Sequence, residues 1–198
     1  MSRPEAPVPA KLVVGIFLKR RALLTPLAEA LTARFGALDL VGPWFDFDFT
    51  RYYRTEFGEP LYRRMLAFRD PVDQGDLAAV KRATNALEAR FAREERRRVN
   101  IDPGYLVRER FVLASGKNFT HRIYLDEGIY ADLTLVYRKG DFRPLPWTYP
   151  DYTRPEMLAF LHRVRRKYIA DLRGPWPLPD RRRPETRQAA QQPRRNRR

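Results

Sequence analysis

The sequence predicts an α+β fold in which a mainly antiparallel sheet carries two internal helices, a β-hairpin and a C-terminal helix. Three features predict it: a β-branched run near the N-terminus, two segments with apolar residues at helical spacing between strand-like segments, and two alternating segments around an acidic, glycine-containing loop. At 198 residues, with 43% apolar and 13% aromatic residues, the chain can fill one core and is short for two full domains.

Residues 1–10 contain three prolines and no apolar periodicity, and read as a flexible lead-in. The run Leu12, Val13, Val14, Gly15, Ile16, Phe17, Leu18 is continuous, as expected of a central strand covered on both faces. Thr25-Pro26 signals a helix start, Leu27, Leu31 and Phe35 form its inner stripe, and Gly36 can close it in the left-handed conformation. Phe45, Phe47 and Phe49 then alternate with Asp46, Asp48 and Thr50, a strand pattern, and residues 61–68 supply a third strand.

Asp76 can cap a second helix with the stripe Leu77, Val80, Thr84, Leu87 and Phe91. Asp102-Pro103-Gly104 reads as a turn, because proline presets φ and glycine accepts φ > 0; a strand over residues 105–114 and a turn at Ser115-Gly116-Lys117-Asn118 follow. Between residues 121 and 138, two alternating segments flank Asp126-Glu127-Gly128, which suits a three-residue loop with glycine at a bulge. That register sets Leu125 across from Ile129, Tyr124 from Tyr130, Ile123 from Ala131 and Arg122 from Asp132, with His121 on the apolar side opposite Leu133.

Residues 141–155 hold four prolines interleaved with aromatics, a composition that reads as an ordered strap across a surface and not as sheet or helix. Thr153 and Glu156 suggest a capping box for a last helix, with Met157, Leu161, Val164 and Tyr168 inward and His162, Arg163, Arg166 and Lys167 on a basic outer face. The succession of elements suggests a ferredoxin-like βαββαβ core, extended by the hairpin and the C-terminal helix, in one domain over residues 11–173. Residues 174–198 are Pro, Arg and Gln with almost nothing to bury, and read as a disordered tail. Truncation there is expected to leave the melting temperature unchanged, because so little apolar surface cannot offset the cost of ordering; a drop of many degrees would show that the tail docks.

The sequence has no run of 18 or more apolar residues and no signal-like stretch at its start, so the expected location is the cytoplasm, with no membrane partner. Cysteine is absent, which excludes disulfides, thiolate zinc sites and cysteine nucleophiles. The net charge of +15 is uneven: eight arginines against Asp180 and Glu185 give the tail +6, leaving +9 elsewhere. Only six of the 39 basic residues are lysine, a bias that GC-rich codon usage would also produce. Phosphate-loop, dinucleotide, hydrolase-elbow and zinc-protease motifs are all missing.

Five separated segments form a pattern in order: residues 50–58 (Thr50, Tyr52, Tyr53, Glu56, Gly58), 81–85 (Lys81, Thr84, Asn85), 99–105 (Asn100, Asp102, Pro103, Gly104, Tyr105), 121–125 (His121, Arg122, Tyr124) and 147–152 (Trp147, Tyr149, Pro150, Asp151, Tyr152). Together they resemble a prokaryotic domain-of-unknown-function family, number 4416, described by an Asp-Pro-Gly motif. The resemblance spans about residues 11 to 172 and implies no activity, cofactor or catalytic assignment.

The candidate site residues follow from these motifs. Asp102, Gly104, Tyr105, His121, Arg122, Tyr124, Tyr130, Asp132, Trp147, Tyr149 and Asp151 are candidate ligand-binding groups, with ordinary turn, core and sheet-surface roles as the competing reading for each. Asp46 and Asp48, with Glu56 near in sequence, could present oxygens to a divalent cation, although strand alternation alone generates such pairs. Arg163, Arg166, Lys167, Arg181, Arg182 and Arg183 are candidate nucleic-acid contacts. Two readings stay open: a non-enzymatic binding protein for RNA or another polyanion, engaged partly by the basic tail, and a small-molecule enzyme or receptor with a polar pocket near Asp102, His121, Arg122 and Tyr124.

Overall fold

The computed structural model describes residues 3–46, 57, 60–94 and 96–174; the expectations for Asp48, Glu56, Phe47, Phe49 and the tail arginines Arg181, Arg182 and Arg183 lie outside them, as does the side chain of Asp46. Strand β1 (Ala10–Leu18) is buried at every position, between β4 (Tyr62–Val72) and β5 (Val99–Leu106). Helix α1 (Leu24–Phe35) connects β1 to β2 (Leu38–Val41), β3 (Phe45–Asp46) adds two residues beside β4, and α2 (Leu77–Phe91) connects β4 to β5. The chain continues through β6 (Arg110–Ser115), β7 (Arg122–Asp126), β8 (Ile129–Arg138) and β9 (Asp141–Pro144) to α3 (Pro155–Asp171). Among the described residues these strands form one antiparallel sheet in the order β2-β4-β1-β5-β6-β8-β7, with β9 beside β8. The order β2-β4-β1-β5 wraps each strand–helix–strand crossover around one intervening antiparallel strand.

Side-chain alternation in β1 explains why its sequence is continuously apolar. Leu12, Val14, Ile16 and Leu18 pack with Leu27 and Leu31 of α1 and Val80 and Leu87 of α2. Val13 packs on the opposite face with Met157, Phe160, Leu161, Val164 and Tyr168 of α3. Each face is therefore covered, and the strand has no solvent side on which a polar residue would be favoured. Its one internal charge, Lys11, is fully buried and is neutralised by Asp39 and, at 2.9 Å, Asp171.

Several element ends differ from the sequence reading. Ala10 already belongs to β1, and the Tyr168 hydroxyl donates to the Pro9 carbonyl, so the lead-in is pinned at its end. Helix α1 starts at Leu24 after a 3-10 turn (Arg21–Leu23), leaving Thr25 inside it, while Gly36 closes it at a positive φ of 87° but with ψ at −174°, extended and not left-handed helical. Asp73 and not Asp76 carries the side-chain cap before α2, accepting from the Gly75 N–H at 2.8 Å. Thr153 donates to the Pro150 carbonyl instead of forming a capping box, and α3 begins on Pro155, whose missing N–H costs nothing at a first helical position. The proline-rich strap contributes β9 before it leaves the sheet, because Asp141–Pro144 pairs with β8 at its edge.

Contrary to the sequence expectation, Asp102-Pro103-Gly104 is no turn: it lies inside β5, where Gly15 pairs with Asp102, Val14 with Pro103 and Val13 with Gly104. The segment 105–114 is accordingly split between β5 and β6 by a turn at residues 107–109. On its other side β5 meets β6 only from Gly104 onward. Beyond that point α2 replaces the missing strand: the Ile101 N–H donates to Glu88 Oε1 at 2.6 Å and Lys81 Nζ donates to the Ile101 carbonyl at 2.8 Å. Pro103, with no N–H to satisfy, stands between these two kinds of edge. Gly104 is required by contact, since a Cβ there would collide with the Val112 carbonyl oxygen.

The hairpin keeps most of its expected register: Arg122 pairs with Asp132, Ile123 with Ala131 and Tyr124 with Tyr130. Its tip differs, because Asp126 and not Leu125 pairs with Ile129, moving the irregularity into β7 at Leu125. The loop shrinks to Glu127 and Gly128, at φ 50° and 77°, the signs a two-residue turn needs to follow the strand twist.

Candidate functional site

One face of the sheet, the face that α3 covers over its apolar part, carries two polar networks joined by the strap. The first is centred on Arg63, whose side chain is 2% exposed although the next residues on its face of β4, Met65 and Ala67, are apolar. Its Nε lies 3.0 Å from Asp151 Oδ2, its Nη2 donates to the Tyr152 hydroxyl at 2.7 Å, and its Nη1 is 3.7 Å from Asp102. Burial pushes the Asp151 carboxyl above the usual carboxylate range against the pull of Arg63, and holds the Tyr152 hydroxyl well above its ordinary value.

Asp102 reaches this network because the Asp-Pro-Gly segment is a strand, which aims the carboxylate at the same face as Arg63. It is also 4.0 Å from Lys81 and remains 30% exposed. Beside it, Asn100 is buried; its Oδ1 accepts from Arg97 Nη1 at 3.2 Å while its Nδ2 has no hydrogen-bond partner among the described residues. Arg97 also bonds Glu88, whose carboxyl burial pushes up.

The second network is centred on Asp132, 4% exposed, which takes Arg122 Nε at 2.9 Å and His121 Nε2 at 3.2 Å on one oxygen and Thr134 Oγ1 at 3.3 Å on the other. Arg122 spends its other donors on Ser115 Oγ, the Lys117 carbonyl and the Tyr149 hydroxyl. Burial works against the Arg122 charge, but the bonds to Asp132 and Tyr149 outweigh it and raise the pKa. His121 does not face an apolar side opposite Leu133: it precedes β7 in the turn, so its ring is free to reach Asp132 and to stack on Trp147, with centroids 4.8 Å apart and planes 8° apart. Trp147 donates to the Leu133 carbonyl and Thr148 to the Thr134 carbonyl, so the strap is stitched to β8 before it delivers Tyr149 to Arg122 and Asp151 to Arg63.

The structure thus gathers Asp102 and Asp151 around Arg63, and His121, Arg122, Trp147 and Tyr149 around Asp132, as two centres joined by the strap. Gly104 and Tyr105 serve packing, the former by its close approach to β6 and the latter half-buried against the core. Tyr130 packs edge-on against Tyr124, which is 57% exposed. Arg163 and Arg166 are exposed on α3, but Lys167 is bound to Asp171, and His162 is no plain surface group because it bonds Asp141 at 2.9 Å beside Phe142. Among the described residues no three His, Asp or Glu side chains stand close enough to hold a metal ion.

A third feature was missed in the sequence. Antiparallel pairing of Leu18 with Val99 brings Lys19, Arg20 and Arg21, which follow β1, beside Arg96, Arg97 and Arg98, which precede β5. The Lys19 N–H to Arg98 carbonyl bond marks the junction, and Arg93 joins the group through paired backbone bonds to Arg96. Lys19, Arg20, Arg21, Arg93 and Arg96 are exposed, and Lys19, Arg20, Arg93, Arg96 and Arg98 make no ion pair among the described residues. Arg21 lies over the Tyr62 ring at 4.4 Å. Here the surface opens into a cleft of about 510 Å³ lined by Lys19, Arg20, Arg21, Ala22, Pro60 and Tyr62. The signal in the sequence was two short basic runs flanking strand-like segments.

No helix among the described residues is long and apolar enough to cross a membrane. The family model described as "Domain of unknown function (DUF4416)" matches residues 8–168, which takes in both basic runs and all five motif segments and leaves out the tail. No curated protein and no solved structure matches the chain.

Proposed function

The chain belongs to the DUF4416 family of domains of unknown function, and we propose that it binds RNA or a similar polyanion through the basic end of its sheet. One observation carries this reading: two basic runs nearly eighty residues apart converge beside a cleft, and most of their side chains have no acid to neutralise them among the described residues. Clustered cations without internal partners hold a condensed anion layer, and replacing it by phosphates releases counterions, the main source of sequence-independent affinity for nucleic acid. Arginine suits this role because its planar fork can engage a phosphate with two donors. Arg181, Arg182 and Arg183 would add attraction from beyond the described residues.

Fluorescence anisotropy with the full chain and a labelled single-stranded RNA tests the reading across a salt series. Replacing Lys19, Arg20 and Arg96 together by glutamine should weaken binding roughly 10- to 100-fold at moderate salt and flatten the salt slope by about 2. Equal affinity and slope in the triple variant, or loss of binding only on removal of residues 174–198, would refute it. A small-molecule reading draws on one observation, the part-exposed Asp102 carboxylate, whose cations stand at 3.7 and 4.0 Å, beyond direct hydrogen-bond distance. A ligand whose thermal stabilisation disappears in Asp102→Asn would favour it.

A further inference from the structure

Among the described residues, exposed large apolar side chains are concentrated at the β7 edge of the sheet. Of the eight among the described residues, Phe119, Ile123, Tyr124, Leu125, Trp147 and Tyr149 all belong to β7, the turn before it and the strap over it. Four of these six are aromatic, and they are held as surfaces. Phe119 is 63% exposed with its ring 5.3 Å from His121 and tilted 59° to it, and His121 in turn stacks on Trp147, so three rings are in contact in series. Tyr124 is fixed edge-on to Tyr130, and Tyr149 is fixed by its hydroxyl on Arg122. Rings immobilised in the free protein lose little entropy when a flat ligand stacks on them.

We propose that this ring cluster is a stacking platform for unpaired bases, so that the protein takes single-stranded in preference to duplex nucleic acid. The inference rests on the polyanion reading above, and the register connects the two surfaces. Leu113 pairs with Gly104 and Ser115 with Tyr130, which places the 116–121 turn and the tip of the hairpin at the same end of the sheet as the basic runs around Leu18 and Val99. Three inter-strand steps separate β5 from β7, about 14 Å across the sheet, and Arg122, level with Gly104 through Asp132 and Leu113, lies five residues from Val99 along the strands, about 17 Å. A strand whose phosphates lie on the basic runs therefore brings bases a few nucleotides further on within reach of the rings. Duplex bases are stacked on each other and offer no free face, whereas every unpaired base has one, which makes such a platform tolerant of sequence.

The test uses the full chain with three probes of equal length: a single-stranded RNA, its duplex, and an abasic sugar–phosphate oligomer that keeps the charge and lacks the bases. The wild type should bind the single strand at least roughly 10-fold tighter than the abasic oligomer. The double variant Phe119→Ser, Tyr124→Ser should lose that preference while binding the abasic oligomer as before; both residues are exposed, so the fold should survive. Equal affinity of the wild type for single-stranded and abasic probes overturns the platform and leaves polyanion binding intact, whereas no binding to any probe overturns both. A preference that persists in the double variant overturns it too. So does self-association of the wild type that the double variant abolishes with its base preference intact, which would mark the cluster as a protein interface.

Discussion

Asp132→Ala is expected to destabilise the protein by about 3–5 kcal/mol, a drop in melting temperature on the order of 10 °C for a domain of this size. Hairpin register alone put Arg122 across from Asp132, and a pair on a solvated sheet face is worth only about 0.2–1 kcal/mol. The strap changes the magnitude. With the Arg122 and Asp132 side chains 7% and 4% exposed, removal of the carboxylate leaves a guanidinium that has lost its water and its counterion. Ser115, Lys117 and Tyr149 still accept hydrogen bonds but supply no charge. Reversible urea denaturation at neutral pH measures the loss. The double variant Arg122→Met, Asp132→Leu should recover much of it, because removal of both charges leaves nothing uncompensated. A loss below about 1 kcal/mol in the single variant would show the pair to be solvated.

What the sequence disclosed divides by the distance over which each decision is made. β1, the stripes of α1 and α2 and the pairing of Arg122 with Asp132 depend on periodicity within a segment or on a short hairpin, and all were legible. Asp102-Pro103-Gly104 was misread because the chemistry that makes a turn, a fixed φ without an N–H beside a residue without a side chain, also serves a strand. There it ends one ladder edge and admits a neighbouring backbone. The choice between these uses is made by β6 and by Lys81 and Glu88 of α2, none of which is local to the motif. The basic end depends on the pairing of β1 with β5, so neither run signalled the other. Arg63 could have been found. In a strand over residues 61–68 it alternates with Leu61, Met65 and Ala67 on one face, and a lone cation on an inward face requires a buried acid.

Replacement of that cation should have the other large effect, and one that depends on pH. Arg63→Met keeps most of the side-chain volume but leaves Asp151, 6% exposed, without its only close counterion among the described residues. The expected cost at neutral pH is again about 3–5 kcal/mol. Burial already holds the Asp151 carboxyl above its ordinary value in the intact protein, and loss of Arg63 should lift it further. A carboxyl raised in the folded state binds its proton more tightly there than in the unfolded chain. Its contribution is therefore fully present below the unfolded value near 4 and is lost as pH rises through the folded value. The deficit of Arg63→Met relative to the wild type should be largest at neutral and alkaline pH. It should shrink as the solution is acidified, by about 1.4 kcal/mol for each additional unit by which the carboxyl has risen. Urea midpoints for both proteins across the weakly acidic to weakly alkaline range follow this difference, and parallel curves would sink the assignment of Arg63 as the counterion. Asp151→Asn placed in the Arg63→Met background separates charge from shape. If the uncompensated carboxylate is the cause, this second substitution should restore part of the stability and remove the excess pH dependence, whereas a defect of packing alone would leave both unchanged.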